Sequence, residues 1–204
     1  MQFGRIDQEK RCDAAKTPRT GEMLENLEVG EVVVYPHHGA ATIEDVNIRV
    51  VDGEKKRYLT LKVSDGDLTI QVPEENLKII GVRDVVDEEG VQEVRDTLRQ
   101  VDVVEHSNWS RRFKENQGKI TSGKILDVAE VVRDLYRREQ DKGLSTGEKR
   151  MLGKARQILT SEIALAREED EEASTEFLNS VLDAGIEAVA AKAAKEDKAK
   201  GKKS

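Results

Sequence analysis

Val50-Val51-Asp52-Gly53-Glu54-Lys55 decides the reading of the first half of this chain, because Asp-Gly between two strand-like runs signals a tight two-residue hairpin. Upstream, Ala40 to Arg49 is rich in β-branched residues, and downstream Arg57 to Val63 alternates apolar and polar side chains as a half-buried strand does. Further out, the valine-rich run Glu31 to Tyr35 stops at Pro36. On the other side Ser64-Asp65-Gly66-Asp67 turns the chain into Leu68 to Val72, which ends at Pro73. Four or five short antiparallel strands within about fifty residues predict a small SH3-like or Tudor-like barrel rather than an open sheet.

After Gly81 the apolar period lengthens from two to about 3.6. Val91 to Val101 reads as a helix, followed by a polar break and a second helix opened by Asn108 and running to about Gln117. Ile125, Val128, Val131, Val132 and Leu135 mark the apolar face of a third, which ends by Gly143. Ser145-Thr146-Gly147-Glu148 matches a capping box with Ser145 as N-cap, ahead of a helix carrying Met151, Leu152, Ala155, Ile158, Leu159 and Ile163 on one side. An acidic run, Glu168 to Glu172, precedes a last helix from about Ser174 with Phe177, Leu178, Val181, Leu182 and Ile186. The fold class expected is therefore α+β, a small N-terminal antiparallel barrel followed by a compact all-helical domain. The expected boundaries are a flexible extension over residues 1–26, the β module over 27–82, the helical domain over 83–189, and a disordered Lys/Ala-rich tail over 190–204. Met23 lies just before the first strand-like run and is an alternative start to the structured part.

Composition narrows the function. Charged residues make up 37% of the 204 residues and aromatics only 3%, which points away from an enzyme built around a deep apolar pocket. There is no run of eighteen apolar residues and no apolar leader, so neither a membrane span nor a secretory signal is expected. The single cysteine, Cys12, cannot form an internal disulfide and fits a reducing cytoplasm. A net charge of −7 argues against a protein that finds nucleic acid unaided, since non-specific affinity comes from neutralised phosphates.

One segment runs against that trend. From Ser107 to Lys124 the cations Arg111, Arg112, Lys114, Lys119 and Lys124 face only Glu115, and Trp109, the sole tryptophan, lies among them. With Asn108 as N-cap, Trp109 falls on the first turn of a helix, where its indole can project past the end. An aromatic beside cations can stack on an unpaired base while its neighbours hold phosphates. A lone tryptophan serves equally well as a core residue, and both readings remain open at this level. Lys149, Arg150 and Lys154 lie near another helix start and either extend the patch or form a solvated face.

No phosphate loop, dinucleotide fingerprint, zinc-protease motif or nucleophile elbow is present, and neither catalysis nor a cofactor is expected. His37-His38 are adjacent on an extended segment and point to opposite sides, with His106 the only other histidine, so a loop role is favoured over a metal site.

Several separated motifs fall in one order: Val34-Tyr35-Pro36-His37-His38-Gly39, Tyr58-Leu59 with Leu61-Lys62, Leu68 to Pro73, Gly81-Val82-Arg83, Asn108-Trp109-Ser110-Arg111-Arg112, Ala129 to Leu135, and Leu144-Ser145 with Gly147 to Leu152. Together, over about Leu27 to Leu182, they resemble the CarD/CdnL proteins, especially the actinobacterial branch. The resemblance implies a transcription regulator whose Tudor-like module, similar to the polymerase-interacting domain of the transcription-repair coupling factor, docks on the β subunit of RNA polymerase. It implies that the helical domain reaches promoter DNA at the upstream fork of the bubble, where Trp109 wedges into the minor groove and opposes collapse. By the same resemblance Arg111, Lys114 and Lys149 match positions that face DNA, Arg49 matches a polymerase-contacting arginine, and Val51 lies at a neighbouring contact position; Arg112, next to Arg111, is also expected on DNA. A second contacting arginine, just before the closing Val-Pro, is replaced here by Gln71. A monomer located in the cytoplasm, on the nucleoid through polymerase, is expected. Two rival readings are a free-standing architectural DNA-binding protein and a protein–protein adaptor that uses Trp109 as an anchor.

Overall fold

The computed structural model describes residues 27–36, 38–64, 67–103 and 108–201, with side chains as far as residue 195. The expected flexible extension with Cys12 and Met23, His37, the Asp65-Gly66 turn, and His106 and Ser107 lie outside the described residues.

Four strands, β1 (Val32–Tyr35), β2 (Gly39–Val51), β3 (Glu54–Val63) and β4 (Thr69–Pro73), pair in chain order as an antiparallel meander. The β2–β3 hairpin turns on Asp52 and Gly53, both at positive φ (53° and 84°), the geometry in which a two-residue loop follows the strand twist. An irregularity between Ile43 and Asp45 re-phases β2, so that Ile43 opposite Leu61 and Val46 opposite Leu59 face the same side. The sheet curls over Val33, Ala41, Ile43, Leu59, Leu61 and Val72, and Leu27, Leu77 and Val82 close that core. The expected barrel is thus a half-barrel: β1 and β4 are the two edges and do not pair with each other.

Pro73 ends β4 and leads through a 3₁₀ turn, Glu74–Asn76, into the one-turn helix α1 (Leu77–Ile80), stopped by Gly81 at φ +87°. This element is too short to leave a periodic signal in the sequence. The helical domain follows as α2 (Glu88–Arg99), α3 (Trp109–Thr121), α4 (Ile125–Asp141), α5 (Thr146–Ala166) and α6 (Glu171–Gly201). Its core takes Val91, Val94 and Leu98 from α2, Val128, Val132 and Leu135 from α4, Leu159 and Ile163 from α5, and Leu178 and Leu182 from α6. The apolar spacing of each helix is the spacing of that buried stripe.

Where a disordered tail was expected from Ala190, α6 continues to Gly201, because the intervening alanines, lysines and glutamate are strong helix formers and no Pro or Gly interrupts them. Among the described residues no helix is long and apolar enough to cross a membrane.

Candidate nucleic-acid interface and docking face

Trp109 opens α3. The Asn108 side chain accepts the Arg111 N–H at 3.0 Å, so the helix starts where the sequence places it and the indole stands at its tip. The residue is 48% exposed, so Trp109 is a half-buried surface residue rather than a core one. One ring face stacks on Phe113, one turn along α3, with centroids 5.3 Å apart and planes inclined by 28°. The indole N–H donates to Ser145 Oγ at 3.2 Å. Gly147 lets Phe113 in: a Cβ there would stand 3.2 Å from Phe113 Cε2.

Ser145 belongs to the N-terminus of α5, where the expected capping box is complete. Glu148 N–H donates to Ser145 Oγ at 3.3 Å, and Ser145 N–H donates to Glu148 Oε2 at 3.0 Å. The other carboxylate oxygen, Glu148 Oε1, receives Arg112 Nε at 3.0 Å and Arg112 Nη2 at 2.7 Å. Burial pushes the Glu148 carboxyl up, but hydrogen bonds from Arg112 and from the Ser145 side chain and backbone, with the Arg112 charge, outweigh it and hold the carboxyl below the usual range.

That pair corrects the reading of Arg112. Expected beside Trp109 on DNA, its side chain is buried and turned inward onto Glu148, because it lies on the same inward stripe of α3 as Asn116 and Ile120. It ties α3 to α5 instead of meeting a ligand. The remaining cations divide. Arg111 is exposed and donates from Nε to Glu115 at 2.9 Å, one turn away. Lys114 is exposed one turn from Arg111, whereas Lys119 is engaged by Glu130 at 2.6 Å on α4. On α5, Lys149 lies one turn from Ser145, with its N–H on the Ser145 carbonyl at 2.9 Å, and Lys149, Arg150 and Lys154 are all exposed. Trp109 and Lys149 thus lie near the starts of α3 and α5, which the Trp109–Ser145 bond joins, while Arg111 and Lys114 are exposed on the first turns of α3. Sequence spacing alone does not bring α5 to Trp109, since the link is a 36-residue contact.

The three residues singled out on the β module also share one face. After the re-phasing in β2, Arg49 and Val51 point to the side opposite Val46, and Thr60, the partner of Gln71, is level with Asp45 on that same side. Arg49 Nη2 donates to Gln71 Oε1 at 2.9 Å and its guanidinium lies over the Tyr58 ring at 5.1 Å. Arg49 and Gln71 are exposed and Val51 is partly exposed. The sequence did not single out Tyr58 as a contact, although its cross-strand position two residues from Lys56 was the available signal.

Comparison with known proteins matches both modules. Residues 27–86 match the family described as CarD-like/TRCF RID domain, and residues 93–179 match CarD, C-terminal domain. The putative transcription factor YdeB of Bacillus subtilis (strain 168) is 31% identical over 141 residues, spanning 69% of this chain and 92% of that protein. The solution NMR structure of the 72-residue N-terminal domain of Myxococcus xanthus CarD is 31% identical, covering 32% of this chain and 93% of that one, with a TM-score of 0.26.

Proposed function

The chain belongs to the CarD family of transcription regulators, and from that premise we propose that it docks on the β subunit of RNA polymerase and holds the promoter bubble open with Trp109. The observation that carries this reading is the half-exposed indole at the tip of α3, stacked on Phe113 and held by Ser145, with Arg111 and Lys114 exposed on the same helix and Lys149 exposed near the start of α5. A preorganised aromatic platform loses little rotational freedom on binding and stacks on any base, while the flanking cations meet phosphates. The Arg49, Val51 and Gln71 face is the docking surface for the acidic lobe of a partner.

An anchored protein needs no high DNA affinity of its own, because docking makes the second contact intramolecular. The net charge of −7 then suppresses stray binding to DNA. Insertion of an aromatic needs an opened or kinked step, so Trp109 favours the open complex over the closed one by differential affinity. The test is footprinting of a promoter complex with and without the protein. Protection and slowed closure at the upstream fork support the reading. An unchanged fork would leave an adaptor, and nanomolar duplex binding without polymerase at physiological salt would leave a free-standing architectural protein.

A further inference from the structure

Each module has its own apolar core, and the two cores are separate clusters. The joint between them centres on Arg83, in the segment joining α1 to α2. Its backbone bridges β1: Val34 N–H donates to the Arg83 carbonyl at 2.7 Å and Arg83 N–H donates to the Val34 carbonyl at 3.2 Å. Its side chain leaves the β module altogether. Arg83 Nε donates to the Gly123 carbonyl, in the turn between α3 and α4, at 2.8 Å. The guanidinium then forks onto Glu162 of α5, Nη1 to Oε1 and Nη2 to Oε2, the second at 2.9 Å.

Glu162 is fully buried and also accepts the Val86 N–H at 3.3 Å. A carboxylate in that position is tolerable only with its charge paired and its oxygens bonded. A bidentate fork fixes an angle as well as a distance, which a lysine cannot do. Small residues let the same parts approach closely: a Cβ at Gly123 would stand 3.3 Å from Pro36 Cγ, and one at Gly39 would stand 3.4 Å from Ser161 Oγ of α5. Arg83 is thus tied at once to β1, to the base of α3 and to α5, and α3 and α5 are the two helices whose starts hold Trp109.

We propose that the Arg83–Glu162 fork is a positioning element, setting the separation and orientation between the Arg49 docking face and Trp109 so that docking delivers the indole to a fixed place. This rests on the function proposed above. A second contact made through a rigid joint of matched span is gained at high effective concentration, and loosening the joint dilutes it without altering either contact surface. Glu162→Gln removes the counter-charge and Arg83→Lys keeps the charge but removes the fork.

The experiment uses the full chain in a Cys12→Ser background with spin labels at Lys55→Cys on the hairpin and Glu139→Cys on α4, both exposed positions outside the two surfaces. The inter-label distance distribution is measured in solution, with circular dichroism and Trp109 emission reporting whether each module stays folded. Co-purification with β subunit and open-complex lifetime are then measured on the unlabelled variants beside Trp109→Ala. The expected result is one narrow distance in the parent, a broader distribution in Arg83→Lys and the broadest in Glu162→Gln. Open-complex lifetime should shorten several-fold in the same order, and co-purification should be unchanged. An unchanged distribution in both variants overturns the proposal, as does a broadened one with an unaltered lifetime while Trp109→Ala shortens it. If Trp109→Ala itself leaves the lifetime unaltered, the functional reading falls and the positioning role falls with it, whatever the distances show.

Discussion

Replacing Glu148 by glutamine leaves the capping box of α5 in place, since glutamine at that position still reaches back to the N-cap, but removes the buried carboxylate that Arg112 meets there. Both side chains are nearly inaccessible, at 5% and 3% exposure, so water cannot stand in for the lost carboxylate. Removing one partner of such a pair costs about 3–5 kcal/mol, a large part of the roughly 5–15 kcal/mol that a whole domain has in hand. Arg138 Nε, 3.9 Å from the same oxygen, loses that charge too. Replacing both members should behave differently: Arg112→Met with Glu148→Gln removes both charges of the pair and should recover most of the loss. Urea unfolding followed by emission of the single tryptophan measures all three proteins. Acid adds a second signature. The folded carboxyl is held below its unfolded value, so its contribution is complete at neutral pH and disappears as pH falls through the depressed folded value. The parent should therefore lose stability below about pH 4 more steeply than Glu148→Gln, which has no carboxylate there to protonate. A loss under about 1 kcal/mol for Glu148→Gln, or a double variant no better than the single one, would refute the account of this pair.

Arg49→Glu should abolish co-purification with β subunit while unfolding at nearly the same temperature, because Arg49 is exposed and its contacts to Gln71 and Tyr58 are surface contacts; retained co-purification removes that face from the account. Gln71→Arg replaces the acceptor of Arg49 with a second cation, and should tighten binding to an acidic partner up to about fivefold, a gain that shrinks as salt rises. Titrations at two salt concentrations read it, and a gain that survives high salt means a contact of another kind. Gly147→Ala should leave the melting temperature within a few degrees, since added helix propensity opposes the 3.2 Å approach to Phe113, yet shift Trp109 emission; an unshifted spectrum means the ring does not hold the indole.

Local signals carried most of the fold. Asp52-Gly53 specified its hairpin, Asn108 and Ser145 specified the starts of α3 and α5, and the apolar stripes located the buried faces. These features depend on residues within one turn or one strand pair of each other. What could not be read is long-range pairing. A linear charge count places five cations around Trp109, but Arg112 is consumed by Glu148, 36 residues away, and Lys119 by Glu130. Lys149, on α5, is instead exposed one turn from Ser145, which bonds the indole. Arg83 and Glu162, 79 residues apart, leave no local trace of their pairing either. The curling of the sheet into a half-barrel rather than a closed one likewise depends on how β1 and β4 end, which alternation along a strand does not encode.

The lifetime of a promoter open complex tests the role of Trp109 most directly. The variant to compare is Trp109→Ala, whose fold should survive because about half of the indole is already in solvent. Stacking of an aromatic on a base is worth about 1–3 kcal/mol, so the protein-dependent lifetime should fall by roughly 5- to 150-fold, with polymerase binding retained. Complex decay at the parental rate, in a variant that is folded and bound to polymerase, would contradict the account.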